Sequence, residues 1–154
     1  MFVLLRHLQR VRRDAALPKR SGARSLAIRH VDAGSCNACE HELTATAAPQ
    51  YDLQRFGLDI VASPRHADVL LVTGPVTTRM VDPLRAAYEA MPEPRLVAAL
   101  GDCALGCGVL GAAAELAGPL DTLLPVDIRI PGCPPAPEAI ADAILAGCFP
   151  GPHP

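Results

Sequence analysis

Apolar residues fall along the chain in short, nearly continuous runs, each followed by a stretch bearing glycine, proline or charge. Leu26–Val31, Leu58–Ala62, Asp68–Thr73, Leu96–Leu100 and Val126–Ile130 are β-prone and lack the strict alternation of a half-exposed strand. Runs of this kind are expected where a strand is buried on both faces. Helix signals lie between them. Asp82 followed by Pro83 predicts a capped helix that runs to about Met91 and stops before Pro92 and Pro94. Pro137 predicts another start, through Glu138, Ile140 and Ile144, with Gly147 as its left-handed C-terminal residue. Asn37 and Glu40 read as a capping pair ahead of a helix reaching about Ala48, and the glycine- and alanine-rich stretch Gly106–Gly118 predicts a looser helix.

Strands alternating with helices imply an α/β fold, a single flavodoxin-like doubly wound domain whose mostly parallel sheet is covered on both faces. The chain has 154 residues, half of them apolar, which suits one domain with a substantial core. Its net charge of −2 conceals an asymmetry: residues 1–30 hold eight of the fourteen basic groups and one acid, leaving fifteen acids against six bases in the remainder. The expected organisation is a basic N-terminal arm over residues 1–24, the folded domain over 25–148 and a short tail over 149–154. Such an arm suits a partner protein or an anionic lipid surface, or is simply a solvated tail. Nucleic acid is set aside, because aromatic residues make up 3% of the chain and no basic-aromatic stacking pattern occurs. Phe2–Leu5 is too short for a signal-peptide core and no run of eighteen apolar residues occurs, so the domain is expected to be neither exported nor membrane-spanning.

Six cysteines in such a chain point to metal or redox chemistry more than to disulfides. Cys36 follows the first predicted strand, Cys103 the fourth and Cys133 the fifth, with Cys39 one helical turn beyond Cys36. In a parallel sheet the carboxyl ends of strands share one edge, and open α/β sheets bind ligands there. Four thiols distant in sequence therefore converge, in loops bordered by Gly34, Gly101 and Gly132, and Pro134 after Cys133 matches the Cys-Pro ending of many cluster-binding runs. The positive end of a helix starting near Asn37 favours thiolate and an anionic cluster. The constellation is read as one 4Fe-4S cluster held by Cys36, Cys39, Cys103 and Cys133. Alone, Cys36-x-x-Cys39 also suits zinc or thiol–disulfide exchange. The thioredoxin pattern leaves Cys103 and Cys133 without a role, and structural zinc usually takes two closely spaced pairs, so a zinc-stabilised interaction module is the alternative. A flavin-binding reading lacks the Ser/Thr/Gly-rich phosphate loop after the first strand. Cys107 and Cys148 are left as non-ligands, Cys107 being the more credible replacement ligand.

The motifs Asp32-Ala-Gly-Ser-Cys-Asn-Ala-Cys39, Gly101-Asp-Cys103 and Pro131-Gly-Cys-Pro134 occur in this order and resemble the small subunit of nickel–iron hydrogenases and the related 20 kDa subunit of respiratory complex I. The likeness spans about residues 24–146. Complex I subunits usually open the site with adjacent cysteines, whereas Cys36-x-x-Cys39 looks hydrogenase-like. Exported uptake hydrogenases carry an export signal and further cluster-binding segments, so the membrane-bound, energy-converting and formate hydrogenlyase types fit better. The resemblance implies a proximal cluster facing a hydrogenase-type large subunit, with a ferredoxin-like iron–sulfur subunit and membrane-anchor subunits as further partners. It implies a peripheral place on the cytoplasmic side of the membrane, with residues 1–24 toward the anchors or the lipid. Catalysis would then lie on another chain, at a nickel–iron site or, in complex-I-like relatives, beside a quinone pocket. Glu40, His41 and Glu42 open the helix after the first ligands. Acids there are commonly helix-dipole partners; the functional reading makes Glu42, and after it Glu40, a proton relay, and lets His41 tune the cluster.

Overall fold

A computed structural model of the chain describes residues 25–109 and 113–148; the predicted arm over residues 1–24 and tail over 149–154 lie outside them. Five parallel strands form the main sheet: β1 (Leu26–Asp32), β2 (Leu58–Ile60), β3 (Val69–Thr73), β5 (Leu96–Leu100) and β7 (Ile128–Ile130). Their spatial order is β2-β1-β3-β5-β7. The strand order reverses between β1 and β3, which is the switch point of a flavodoxin-like sheet. All five predicted strands are present. They are continuous apolar runs because both faces are covered: every residue of β3 is buried, as are four of the five in β5.

Side chains alternate between two cores. On one face Ile28, Val69, Leu71, Ala98, Leu100, Ile128 and Ile130 pack with Leu43 of α1 (Ala38–Ala45) and Ile140 and Ile144 of α3 (Pro137–Cys148). On the other, Val31, Leu70, Val72, Val97 and Ala99 pack with Leu84 of α2 (Val81–Glu89). The amino ends of the inner strands are tied by carboxylates: Asp68 Oδ2 accepts from the Ala27 N–H at 2.9 Å, and Asp127 Oδ2 from the Val97 N–H at 2.8 Å. Each satisfies a donor that the start of a strand would otherwise leave unpaired.

Several local expectations are corrected. Asp82 is not a cap, since α2 starts at Val81 directly from a 3-10 turn and ends at Glu89; Asp82 sits in the first turn, where its charge favours the helix dipole. Asn37 and Glu40 do not form a capping pair: Asn37 takes a left-handed φ of 72° with no side-chain cap bond, and α1 ends at Ala45. Gly147 lies inside α3 rather than beyond its end. Its missing side chain lets the helix approach β7, because a methyl group there would sit 2.5 Å from Ile128 Cγ1. The described residues of the stretch 106–118 hold no helix; they include β6 (Leu116–Gly118), which pairs antiparallel with β4 (Val76–Thr77). Neither of these two short strands carries a sequence pattern that sets it apart from a loop.

Candidate metal centre

The register places Asp32, Thr73, Leu100 and Ile130 in one row across β1, β3, β5 and β7. The loops beyond that row therefore start level at the carboxyl edge. Cys36 lies four residues past the row, Cys103 and Cys133 three past it, and Cys39 is in the first turn of α1. Cys39 is buried, Cys103 half-buried, and Cys36 and Cys133 are exposed. Burial pushes the Cys39 thiol up from its ordinary 9.0 to about 11, and the charges of Glu40, Cys103, Cys36 and Cys133 act in the same direction. Burial disfavours a thiolate that water cannot reach. Cys103, Cys36 and Cys133 are thus near enough for their charges to act on Cys39.

Short hydrogen bonds set each loop. Asp32 Oδ1 accepts from the N–H groups of Gly34 and Ser35, both at 2.8 Å, and Ser35 Oγ accepts from the Asn37 N–H at 3.0 Å. These turns carry the chain from β1 to the left-handed Asn37, a conformation that asparagine tolerates better than most residues. Gly101 leaves β5 at φ +89°, and a methyl group on it would lie 2.6 Å from Cys39 Sγ. Only glycine leaves room for that sulfur while taking this backbone conformation readily. Asp102 joins two loops: its N–H donates to Gly132 O at 2.9 Å and its Oδ1 accepts from the Gly132 N–H at 2.7 Å.

The remaining candidates divide by position. Cys107 is exposed, and its Sγ donates to Leu105 O at 3.6 Å. Cys148 ends α3, and burial followed by the charge of Asp68 pushes its thiol up from 9.0 to about 11. Asp68 precedes β3, so Cys148 belongs to the amino edge of the sheet, opposite the other thiols. Both Glu40 carboxylate oxygens are buried and accept no hydrogen bond among the described residues; the nearer lies 3.7 Å from His30 Nε2. Glu42 is half-buried and His41 exposed. His30 escapes the sequence reading. It projects from mid β1 and shares a 2.8 Å hydrogen bond with Thr73 Oγ1, the donor being set by its tautomer. Burial lowers its pKa below the ordinary 6.5, against the opposing pull of Glu40 and Asp32. Its only signal in the sequence is a polar side chain inside a buried run.

Among the described residues no three His, Cys, Asp or Glu side chains are gathered tightly enough to hold a single metal ion. Four thiolates about one zinc would stand about 3.8 Å apart. A 4Fe-4S cube presents a different iron to each cysteine, so its ligands stand wider. Four thiols at this edge, one buried, one half-buried and two exposed, are the donor type that such a cluster takes.

A family model described as NADH ubiquinone oxidoreductase, 20 kDa subunit, matches residues 36–147. The chain is 47% identical over 122 residues to a probable membrane-bound hydrogenase subunit of Pyrococcus furiosus, covering 79% of this chain and 73% of that one. It is 44% identical over 116 residues to formate hydrogenlyase subunit 7 of Escherichia coli, covering 75% of this chain and 46% of the relative. Among solved structures, a chain of the membrane-bound sulfane sulfur reductase, an archaeal respiratory membrane complex, superposes with a TM-score of 0.68 at 37% identity, covering 79% of this chain and 67% of the other.

Proposed function

The chain belongs to the family of the NADH ubiquinone oxidoreductase 20 kDa subunit, and from this premise we propose that it is the electron-transfer subunit of a membrane-associated hydrogenase or formate hydrogenlyase type complex. It holds one 4Fe-4S cluster through Cys36, Cys39, Cys103 and Cys133. The observation that carries this reading is the convergence of the other three thiols on the buried Cys39 at one sheet edge. Bound there, the cluster supplies reversible one-electron transfer. The buried Cys39 would hold it on the protein side, while the exposed Cys36 and Cys133 lie on the side assigned to a large subunit. The Cys36-x-x-Cys39 spacing and the hydrogenase and formate hydrogenlyase relatives favour this over a quinone-linked relative, the second reading that the family admits.

With Cys36, Cys39, Cys103 and Cys133 committed to the cluster, the catalytic site is assigned to that partner, with a ferredoxin-like subunit and membrane anchors completing the assembly. No helix among the described residues is long and apolar enough to cross a membrane. Attachment is assigned to the anchors, aided by the basic residues 1–24, on the cytoplasmic side. Glu42, and after it Glu40, is assigned the proton relay toward the large subunit.

The test is anaerobic purification of the chain with whatever accompanies it, followed by iron, sulfide, zinc and nickel determination and an EPR spectrum after dithionite reduction. About four iron and four sulfide per chain with a reduced-cluster signal is the expected result, with nickel on a copurifying large subunit. Zinc without sulfide overturns the cluster and leaves a zinc-stabilised module.

A further inference from the structure

The bonds around Asp102 form a rung that the sheet itself does not supply. The β5–β7 pairing ends at Leu100 and Ile130, and the Gly101 N–H still donates to Ile130 O at 2.8 Å. One residue further, Asp102 takes up both backbone groups of Gly132: its N–H donates to Gly132 O at 2.9 Å, and its Oδ1 accepts from the Gly132 N–H at 2.7 Å. The Asp102 carbonyl meanwhile accepts from the Cys107 N–H at 2.9 Å, closing the turn that carries Cys103. Asp102 immediately precedes Cys103, and Gly132 immediately precedes Cys133. The two loops are therefore joined at the residues next to their thiols. Gly132 has φ +138° and no side chain of its own with which to brace the loop.

We propose that Asp102 is a positioning residue that fixes the span between the Cys103 and Cys133 thiolates, and that it acts through the acceptor oxygen rather than through its charge. This rests on the reading of those cysteines as ligands of one cluster. A carboxylate oxygen and an amide oxygen both accept a backbone N–H, and without that acceptor the pairing of Asp102 with Gly132 would rest, among the described residues, on the Asp102 N–H bond. The twist of β5 against β7 would then carry the loops apart.

The test compares wild-type, Asp102→Ala and Asp102→Asn chains in the anaerobically purified complex by the rate of iron release to a ferrous chelator and by the EPR line shape of the reduced cluster. Asp102→Ala should release iron about tenfold faster, equivalent to about 1.4 kcal/mol, with an altered line shape. Asp102→Asn keeps an oxygen in place and should match wild type in both readouts. A role confined to overall stability would shift melting without this rescue. Should Asp102→Ala fail to accumulate, Asp102→Ser, whose hydroxyl is too short to reach Gly132, carries the same expectation. Release and spectra equal to wild type in the alanine or serine variant overturn the positioning role, as does an asparagine variant as labile as alanine. Absence of iron and sulfide from the wild-type chain instead removes the cluster reading, and this inference with it.

Discussion

Replacing Gly101 with alanine tests the site at its tightest point. The backbone there has φ +89°, and holding an ordinary residue in such a region costs about 1–3 kcal/mol. The new methyl group would stand 2.6 Å from Cys39 Sγ, where non-bonded heavy atoms prefer about 3.5 Å or more. The sulfur must therefore retreat by about 1 Å. Overpacking of this kind adds about 1–3 kcal/mol, so a loss of about 4 kcal/mol is expected for the metal-free chain. At the sensitivity typical of a domain this size, Tm falls by about 10 °C. The larger effect is on the cluster, because an iron–sulfur bond cannot stretch by the distance that the sulfur moves. Iron and sulfide per complex, with the reduced EPR spectrum, should show the cluster lost or rebuilt. Gly147→Ala is the control: its methyl group meets Ile128 Cγ1 at 2.5 Å, in α3 rather than in a ligand loop. It should lower Tm while iron stays. Full iron content with an unchanged spectrum in Gly101→Ala, or equal iron loss in Gly147→Ala, would refute the reasoning.

Serine in place of Cys36, Cys39, Cys103 or Cys133 should each lower iron content by at least about half, since one corner loses its thiolate, whereas Cys107→Ser should leave iron and spectrum intact; iron analysis of all five variants decides. Glu42→Gln should slow turnover of the assembled complex about a hundredfold, the low end of general acid–base effects, and Glu40→Gln should slow it less; turnover unchanged in Glu42→Gln would remove the relay. Cys148 binds its proton more tightly in the folded chain, with its thiol near 11 against an ordinary 9.0. As pH rises from 9 toward 11 the unfolded chain releases that proton while the folded chain keeps it, so stability falls, by about 1–2 kcal/mol for a partly buried group. Denaturant melts of the metal-free chain across that range should show the loss, and Cys148→Ala should reduce it.

The parts of this molecule that are legible in the sequence are those governed by burial. The runs at residues 69–73 and 96–100 are continuous because water reaches neither face of β3 or β5. Once the strands are known to be parallel, the convergence of Cys36, Cys103 and Cys133 follows from topology alone. The features that resist reading are set by contacts distant along the chain. Gly147 looks like a helix terminator until Ile128 is seen against it, and Asn37 looks like a cap until its backbone proves left-handed. Asp102 pairs with a glycine thirty residues away. An acid directly before a candidate ligand, within a glycine-bordered loop, was the available signal. His30 needs both Thr73 and Glu40 in place before its polarity makes sense.

The single row formed by Asp32, Thr73, Leu100 and Ile130 also imposes an order on biogenesis. Three of the loops that rise from it belong to β1, β5 and β7, and β7 joins the sheet only through β5. A nascent chain carrying β1 and α1 has half of the thiols but no partner edge to set them against. On the proposed ligand set the site is complete only once the last strand docks, so a cluster held there would be taken up by the folded sheet edge rather than by an emerging peptide.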